Sequence, residues 1–282
     1  MLLLIPGPVT TDARVKAAMA QDYAPWDNDF RETYRQVCTG VLGVAEASPD
    51  EHAALALPGC GHFAVEAAIR TFLPPGGRLL APSTGAYASR LQKLAGEAGR
   101  GAVPLPVGAA ERVDPGAVAT ALERDPTLTH LALVYSETGS GICHDVPELA
   151  RIAHAMGRRV IIDAVSAFGA LPLNLAALPA VDAVVLTANK CLEGLPGAAF
   201  VVASIDRLEA ARGNAGSWSL DLADIYQHTL APNAGPRFTP PAPTLAALAV
   251  ALELHRQEGR EARLARYTCL LYTSPSPRDV EE

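Results

Sequence analysis

The sequence predicts an α/β fold in which a mostly parallel sheet is covered by helices. From about residue 53 onward, short apolar runs alternate with helical patterns, which is the βαβ rhythm of such a fold. The apolar runs hardly alternate with polar residues, as expected of strands that are buried on both faces. The chain has 282 residues, of which 49% are hydrophobic and 19% charged, so it can bury a substantial core.

The strand and helix signals follow one another in a regular order. Strand-type runs occupy residues 53–57, 78–82, 102–107, 130–135, 159–163, 182–186 and 197–204. Helical patterns occupy residues 63–72, 87–97, 115–123, 147–156, 205–212, 220–228 and 244–258. Residues 1–50 differ, because an extended arm precedes a helix with Asp12 near its start and an amphipathic helix over residues 30–42. We expect this part to pack on the main domain or on a partner subunit.

Composition narrows the classes of function. The net charge of −7 and the lack of any Lys/Arg-rich run argue against a nucleic-acid surface, which needs a concentrated basic patch. The start MLLLIPGP has no basic region, and Pro6 interrupts its apolar run, so neither a signal peptide nor a membrane anchor is predicted. We therefore expect a cytoplasmic protein that acts on small molecules.

The cysteines and histidines predict neither a disulfide framework nor a metal centre. The five cysteines are scattered, odd in number and without a C-x-x-C pair, which indicates reduced thiols. No H-E-x-x-H spacing is present, so a metal-dependent reaction is not predicted.

A lysine stands at an unusual place in the segment VVLTANKCLEGLPG, residues 184–197. A lysine in a loop is usually a solvated surface charge. Lys190, however, follows a strand of the buried type, and Asp163 ends the preceding strand-type run RVIID. Consecutive strands would deliver this amine and this carboxylate to the same edge of the sheet, where α/β folds place their chemistry. A simple ion pair between the two residues is the structural alternative.

The segment PGCGHFAVEA, residues 58–67, places a glycine-flanked turn between a strand and a helix. Backbone N–H groups at the start of that helix can hold an anion such as phosphate, although a plain tight turn would use the same residues. Gly59, Gly61 and Ala64 also match the dinucleotide pattern G-x-G-x-x-A. That alternative requires an acidic residue at the end of the next strand, and RLLAPSTGAY supplies none. The sequence therefore favours a phosphate cradle.

Together these features predict a site for pyridoxal 5'-phosphate. A lysine at a strand end can bond to that cofactor, and a buried aspartate can keep its pyridine nitrogen protonated. Tyr87 lies on the next loop that follows a strand, where an aromatic ring can stack on the cofactor. A tyrosine that only packs against the protein is the alternative.

The segments that carry these residues resemble the class V aminotransferases of fold type I. The resemblance runs from LLLIPGPVT to about residue 267, and TANK and IIDAVSAFG are specific for the superfamily. GCGHFAVEA, TGAYASR, SETGSG and PRFTPPAPT also match, while PWDNDF and SLDL indicate the branch that acts on 2-aminoethylphosphonate. The resemblance implies a large domain whose mostly parallel sheet lies between helices, and a homodimer.

The resemblance also implies roles for individual residues. Lys190 would bond to the cofactor and Asp163 would pair with the pyridinium nitrogen, with Ser166 close to that aspartate. Tyr87 would cover the ring, and Thr138 would lie near its phenolic oxygen. The implied phosphate ligands are Cys60, Gly61, His62, Thr187, Asn189 and, from the partner subunit, Thr239.

The implied reaction transfers an amino group from 2-aminoethylphosphonate to pyruvate, as in phosphonate catabolism, with Lys190 acting as general base and then acid. An alanine-, serine- or glyoxylate-using aminotransferase of the same family is the nearest alternative. Cysteine desulfurase would need a mobile nucleophilic cysteine, for which Cys191 and Cys269 are poorly placed. A non-catalytic fragment that keeps the fold is the alternative from another class.

The resemblance implies a division into four segments. Residues 1–50 form the arm and helices, residues 51–242 the cofactor-binding large domain, and residues 243–267 the start of a small C-terminal domain that is largely missing. Residues 268–282 are expected to be a non-native tail, because the tract CLLYTSPSPRDVEE that begins at residue 269 resembles translated adapter sequence.

Two features lead us to expect weak cofactor binding and slow turnover. Cys60 stands where relatives often carry Ser or Thr, and the family's substrate-binding arginine lies in the small domain. Arg14 and Arg237 are considered as replacements, but a surface or structural role is more typical of such arginines.

Overall fold

A seven-stranded sheet with helices on both faces forms the body of the protein in the computed structural model, so the predicted fold class is confirmed. The structure describes residue 3 and residues 5–108 and 110–273, with side chains up to residue 269. Residues 274–282, most of the predicted tail, lie outside the described residues. The predicted division into four segments stays a prediction.

The elements alternate along the chain much as the sequence predicts. The strands are β1 (His52–Gly59), β2 (Arg78–Ser83), β3 (Gly101–Pro106), β4 (Leu128–Val134), β5 (Ser136–Glu137), β6 (Ile142–Cys143), β7 (Arg159–Asp163), β8 (Val181–Thr187) and β9 (Gly197–Ser204). The helices are α1 (Ala13–Met19), α2 (Asn28–Val44), α3 (Gly61–Phe72), α4 (Ala86–Glu97), α5 (Pro115–Arg124), α6 (Val146–Ala155), α7 (Ile205–Ala210), α8 (Leu222–Thr229), α9 (Ala242–Glu258) and α10 (Arg260–Thr273). The hairpin of β5 and β6 was not predicted, because each of its strands has only two residues.

The order of the strands in the main sheet is β1-β9-β8-β7-β4-β2-β3. The pairs from β8 to β3 are parallel, whereas β9 is antiparallel to both β1 and β8. Parallel neighbours need a crossover. Helix α4 lies in the crossover from β2 to β3 and helix α6 in that from β4 to β7, whereas β7 and β8 are joined by a segment with a 3-10 turn at Leu175–Ala177. Strands β8 and β9 are instead joined directly by residues 188–196, so their directions reverse. This reversing loop carries Lys190.

The sheet separates two apolar cores. Val184 and Val185 are adjacent on β8, yet they belong to opposite cores and both are fully buried. One core is closed by α2, α5, α6 and α9, and the other by α3, α4, α7 and α8. Burial on both faces explains why the strand sequences are apolar without alternation.

The N-terminal helices are held against the rest of the chain by α9. Val37 of α2 shares a core with Leu245 and Leu248 of α9. Asp12 caps α1, because its carboxylate accepts a hydrogen bond of 2.8 Å from the backbone N–H of Arg14. Across the described part of the chain, none of the helices has the length and apolar character needed to cross a membrane.

A buried carboxylate on β8 links this strand to β4, β7 and α7. Asp182 on β8 is fully buried and accepts hydrogen bonds from Arg159 at 2.6 Å and Arg207 at 3.1 Å, and its other oxygen lies 3.2 Å from His130 Nε2. Burial alone would raise the pKa of Asp182, but its hydrogen bonds and the cations around it lower that pKa below 3.8.

We expect Asp182→Asn to lower the free energy of unfolding by about 3 kcal/mol, because it leaves partly buried cations without their counter-ion. Since the folded pKa is depressed, this stability is present above pH 3.8 and is lost as the pH falls below it. Urea unfolding at neutral and acid pH measures both effects. Glu209→Gln, at an exposed carboxylate on α7, is the matched control and should change stability by less than about 0.5 kcal/mol. An equal effect of the two substitutions would contradict the role of the network.

Candidate active site

A cavity of about 150 Å³ lies at the carboxyl ends of β7 and β8 and at the start of α3. It brings together eight of the eleven residues that the sequence singled out. These residues are Cys60, Gly61, His62, Tyr87, Asp163, Thr187, Asn189 and Lys190. Val65, Arg90, Leu91 and Val165 complete the lining.

The sheet register places the lysine and the aspartate at one edge. Asp163 ends β7 directly opposite Val185 of the parallel strand β8, and Lys190 follows β8 by three residues. The loop is closed by two backbone hydrogen bonds of 2.8 Å, from Glu193 N–H to the Lys190 carbonyl and from Gly194 N–H to the Ala188 carbonyl. The position of Lys190 is therefore set by the backbone.

Both ionisable groups have shifted pKa values. Burial raises the pKa of Asp163 to about 6, Glu137 adds to this, and the Val165 N–H, which donates to Asp163 Oδ1 at 3.0 Å, opposes it. Burial also lowers the pKa of Lys190, although Cys191 and Asp163 oppose that shift. The lysine is thus more readily neutral than a surface lysine, and the carboxylate lacks a strong cationic partner.

The start of α3 forms a cradle with unused hydrogen-bonding capacity. Cys60 is the N-cap residue, and its thiol makes no capping hydrogen bond. A side chain on Gly61 would come within 2.6 Å of Val165 Cγ2, so only glycine leaves this approach open. The buried hydroxyl of Thr187, which also lines the cavity, has no hydrogen-bond partner among the described residues. N–H groups at a helix start and an unpartnered hydroxyl suit a phosphate group.

Glu137 orients the loop that carries Tyr87. Its carboxylate, 1% exposed, accepts a 3.2 Å hydrogen bond from the Tyr87 N–H and a 3.4 Å bond from the Thr84 hydroxyl. Gly85 packs so closely on it that a Cβ there would lie 2.6 Å from the Glu137 carboxyl carbon. Tyr87 is half-buried at the cavity wall.

Three predicted site residues do not line the cavity. Thr138 and Ser166 lie 2.7 Å apart through their hydroxyl oxygens and form a pair beside it. Thr239, predicted to act from a partner subunit, lies in the segment before α9. All eleven assignments stay predictions as to role.

Sequence reasoning missed several residues at the site. A Cβ on Gly7 would lie 2.4 Å from Lys190 Cδ, so the N-terminal arm passes directly over the lysine. Arg263 of α10 is 2% exposed and donates a 2.7 Å hydrogen bond to the Cys191 carbonyl, which braces the lysine loop. Glu137 lies next to the predicted Thr138 in the segment SETGSG, and Arg90 lies three residues after Tyr87 in TGAYASR. Their charges, so close to predicted site residues, were a signal that could have identified them.

Comparison with known proteins shows the family to which the chain belongs. Residues 27–273 match the profile of the family Aminotransferase class-V. A 2-aminoethylphosphonate–pyruvate transaminase of Burkholderia ambifaria (strain MC40-6) is 43% identical over 268 residues, which are 94% of this chain and 71% of that protein.

Two solved structures have the same fold. Pyridoxamine–pyruvate aminotransferase from Mesorhizobium loti has a TM-score of 0.87 and 25% identity, and the match covers 96% of this chain and 69% of that one. Alanine–glyoxylate aminotransferase from Nostoc sp. has a TM-score of 0.87 and 26% identity, with 96% and 72% covered. The chain therefore belongs to the class V aminotransferase family, a family of pyridoxal phosphate-dependent enzymes of fold type I.

Proposed function

We propose that this protein binds pyridoxal 5'-phosphate and transfers the amino group of 2-aminoethylphosphonate to pyruvate, which yields phosphonoacetaldehyde and alanine. The observation that carries the proposal is the convergence of Lys190, Asp163 and the start of α3 on one cavity. The substrates follow from the name of a relative that is 43% identical over 94% of the chain.

The residues of the cavity fit the cofactor. We assign the phosphate to the N–H groups of Gly61 and His62 and to the unpartnered hydroxyl of Thr187. Cys60, Asn189 and, from a partner subunit, Thr239 are further candidates for the phosphate, and Thr138 and Ser166 for the polar edge of the ring. When bound, pyridoxal phosphate supplies a ring that accepts electrons from the substrate carbon.

The side chains of this protein would then perform the proton transfers. Because burial lowers its pKa, Lys190 can take a proton from the amine-bearing carbon as the neutral amine and return it as the acid. Asp163 would keep the ring nitrogen of the bound cofactor protonated. Its carboxylate is available for this role because no strong cationic partner among the described residues neutralises it. Tyr87 covers the ring and limits the access of water.

A second candidate is transamination of alanine or serine with glyoxylate, because the structure shares its fold with an alanine–glyoxylate aminotransferase at 26% identity. A cysteine desulfurase reaction is not favoured. Burial raises the pKa of the Cys191 thiol to about 11, so this cysteine is a poor nucleophile at neutral pH.

The experiment that tests the proposal is a visible absorption spectrum of the protein with pyridoxal phosphate, recorded before and after addition of 2-aminoethylphosphonate or alanine. Bleaching by the phosphonate, together with alanine formation once pyruvate is added, supports the proposal. Bleaching by alanine alone would favour the second candidate. A folded protein that gives no lysine-dependent band would contradict cofactor binding and favour a non-catalytic role.

We expect Cys60→Ser to lower the Kd for pyridoxal phosphate by about 3- to 10-fold, because a hydroxyl adds a hydrogen-bond donor to a charged phosphate. Cys60→Ala should leave the Kd nearly unchanged, since the backbone N–H groups are retained. Fluorescence titration of the apoprotein measures both values. A weaker affinity in the alanine variant would show instead that the thiol itself binds the phosphate.

We further propose a homodimer, as the family resemblance implies. Trp218 and Phe63 expose 66% and 46% of their surface, which a second copy would cover. Sedimentation velocity checks this, and a monomer at all concentrations would contradict it. The cytoplasmic location stays a prediction.

A further inference from the structure

The cavity is lined by an arginine to which the proposed reaction gives no role. Arg90 lies on α4, one helical turn after Tyr87, and its guanidinium carbon is 4.8 Å from the centre of the Tyr87 ring. A cation–π contact of this kind orients a guanidinium without neutralising it. The positive charge of Arg90 is therefore held at the cavity wall.

Arg90 differs from the other arginines considered as anion ligands. Arg14 pairs with Asp12 at 3.0 Å, and Arg237 pairs with Asp224 at 2.8 Å. No hydrogen bond or ion pair joins Arg90 to another residue in the part of the chain that the structure describes. Because a guanidinium has several N–H donors in a planar fork, Arg90 can contact two oxygens of an anion.

The positive charge of Arg90 is available to bind an anion other than the cofactor phosphate. The cofactor phosphate is accounted for by the start of α3. The carboxylate of Asp163 is buried on the sheet, and the charge of Arg90 lowers its pKa only against the larger effect of burial. Arg90 is the one arginine among the described residues that line the cavity, and the phosphonate of the amine substrate is an anion that it can bind.

We propose that Arg90 binds the phosphonate group of the amine substrate and so selects 2-aminoethylphosphonate over uncharged amines. This inference rests on the proposed function. The Arg90 side chain is exposed to solvent where it lines the cavity. Water therefore screens the attraction between its guanidinium and an approaching anion. This attraction becomes stronger once the bound substrate has displaced that water.

The test compares Arg90→Gln with Lys93→Gln. The control removes a positive charge from an exposed position on the same helix that does not line the cavity. We expect Arg90→Gln to raise the KM and the Kd for 2-aminoethylphosphonate on the order of 10- to 100-fold, the loss of a charge-assisted hydrogen bond. The control should change them by less than about twofold. Propylamine, which has no anionic group, should lose much less kcat/KM in Arg90→Gln than 2-aminoethylphosphonate does.

The Kd values are measured by titration calorimetry on the cofactor-loaded protein, and the Kd for pyridoxal phosphate is measured separately. An equal loss with propylamine would mean that Arg90 acts through Tyr87, which overturns the proposal. A rise confined to the Kd for pyridoxal phosphate would place the cofactor phosphate on Arg90, which also overturns it.

The two proposals fail in different ways. A parent protein that binds 2-aminoethylphosphonate through Arg90 but does not transaminate it contradicts the proposed function and supports the anion site. A parent that transaminates it, with KM and Kd unchanged in Arg90→Gln, contradicts the anion site and supports the proposed function.

Discussion

Lys190→Ala is expected to reduce the rate of transamination at least about 10⁴-fold while the fold is retained. In the proposed reaction the side chain supplies both the amine that bonds to the cofactor and the group that moves the proton, so its truncation would remove two contributions at once. The loop itself is held by other groups, because Gly194 N–H bonds to the Ala188 carbonyl and Arg263 bonds to the Cys191 carbonyl. We therefore expect the unfolding midpoint to change little.

Lys190→Arg is the matched control for charge. A guanidinium stays protonated at any working pH, so it keeps the positive charge but cannot act as a base or bond to the cofactor. Single-turnover kinetics should show both variants inactive. Borohydride reduction of the loaded parent, followed by peptide mapping, should place the label within residues 184–197. A label elsewhere, or an arginine variant with more than about a tenth of the parent rate, would refute the assignment.

Asp163→Asn is expected to separate stability from activity. In the apoprotein the substitution should raise the free energy of unfolding at neutral pH by up to about 3 kcal/mol, because the pKa rises from 3.8 to about 6 on folding and each pKa unit corresponds to about 1.4 kcal/mol. The amide oxygen can still accept the hydrogen bond from the Val165 N–H. In the loaded enzyme the same change should reduce kcat on the order of 10²- to 10³-fold, since a preorganised charge at the ring nitrogen is lost.

The stabilisation expected from Asp163→Asn depends on pH in a defined direction. The pKa of Asp163 is higher in the folded protein than in the unfolded chain. The buried carboxyl group therefore does not destabilise the parent below pH 3.8, and its ionisation lowers the free energy of unfolding as the pH rises through about 6. The gain from Asp163→Asn should thus vanish in acid. Urea unfolding of the two apoproteins across this range measures it, and a variant that is less stable than the parent at neutral pH would contradict it.

The opposite outcome expected for Asp182→Asn makes the comparison informative. Both carboxylates are buried on neighbouring strands of one sheet. Asp182 is surrounded by Arg159, Arg207 and His130. Arg90 and Lys190 also act on Asp163, but they lower its pKa by less than burial raises it. Asp182 lies near the start of β8 and Asp163 at the end of the parallel strand β7, so the two carboxylates lie at opposite edges of the sheet.

Much of the architecture could be predicted from local patterns in the sequence. Apolar runs without alternation predicted the buried strands, and the helical signals between them predicted the crossovers, because burial on two faces leaves a direct trace in residue type. The placement of Asp163 and Lys190 at one edge of the sheet could be predicted for a similar reason, since neighbouring parallel strands end at one edge. The family resemblance, confirmed by comparison, rests on the same contiguous segments.

The sequence by itself thus determined the α/β class, the family and the residues that follow the strand ends. Only the tertiary structure decided which other groups reach that edge. Arg263 meets the carbonyl of Cys191 across 72 positions, and Glu137 meets the Tyr87 N–H across 50. The direction of β9 and the charge of Arg90 at the cavity also depend on how distant segments pack. Contacts of this kind depend on the three-dimensional path of the chain, and no local spacing of residues encodes them.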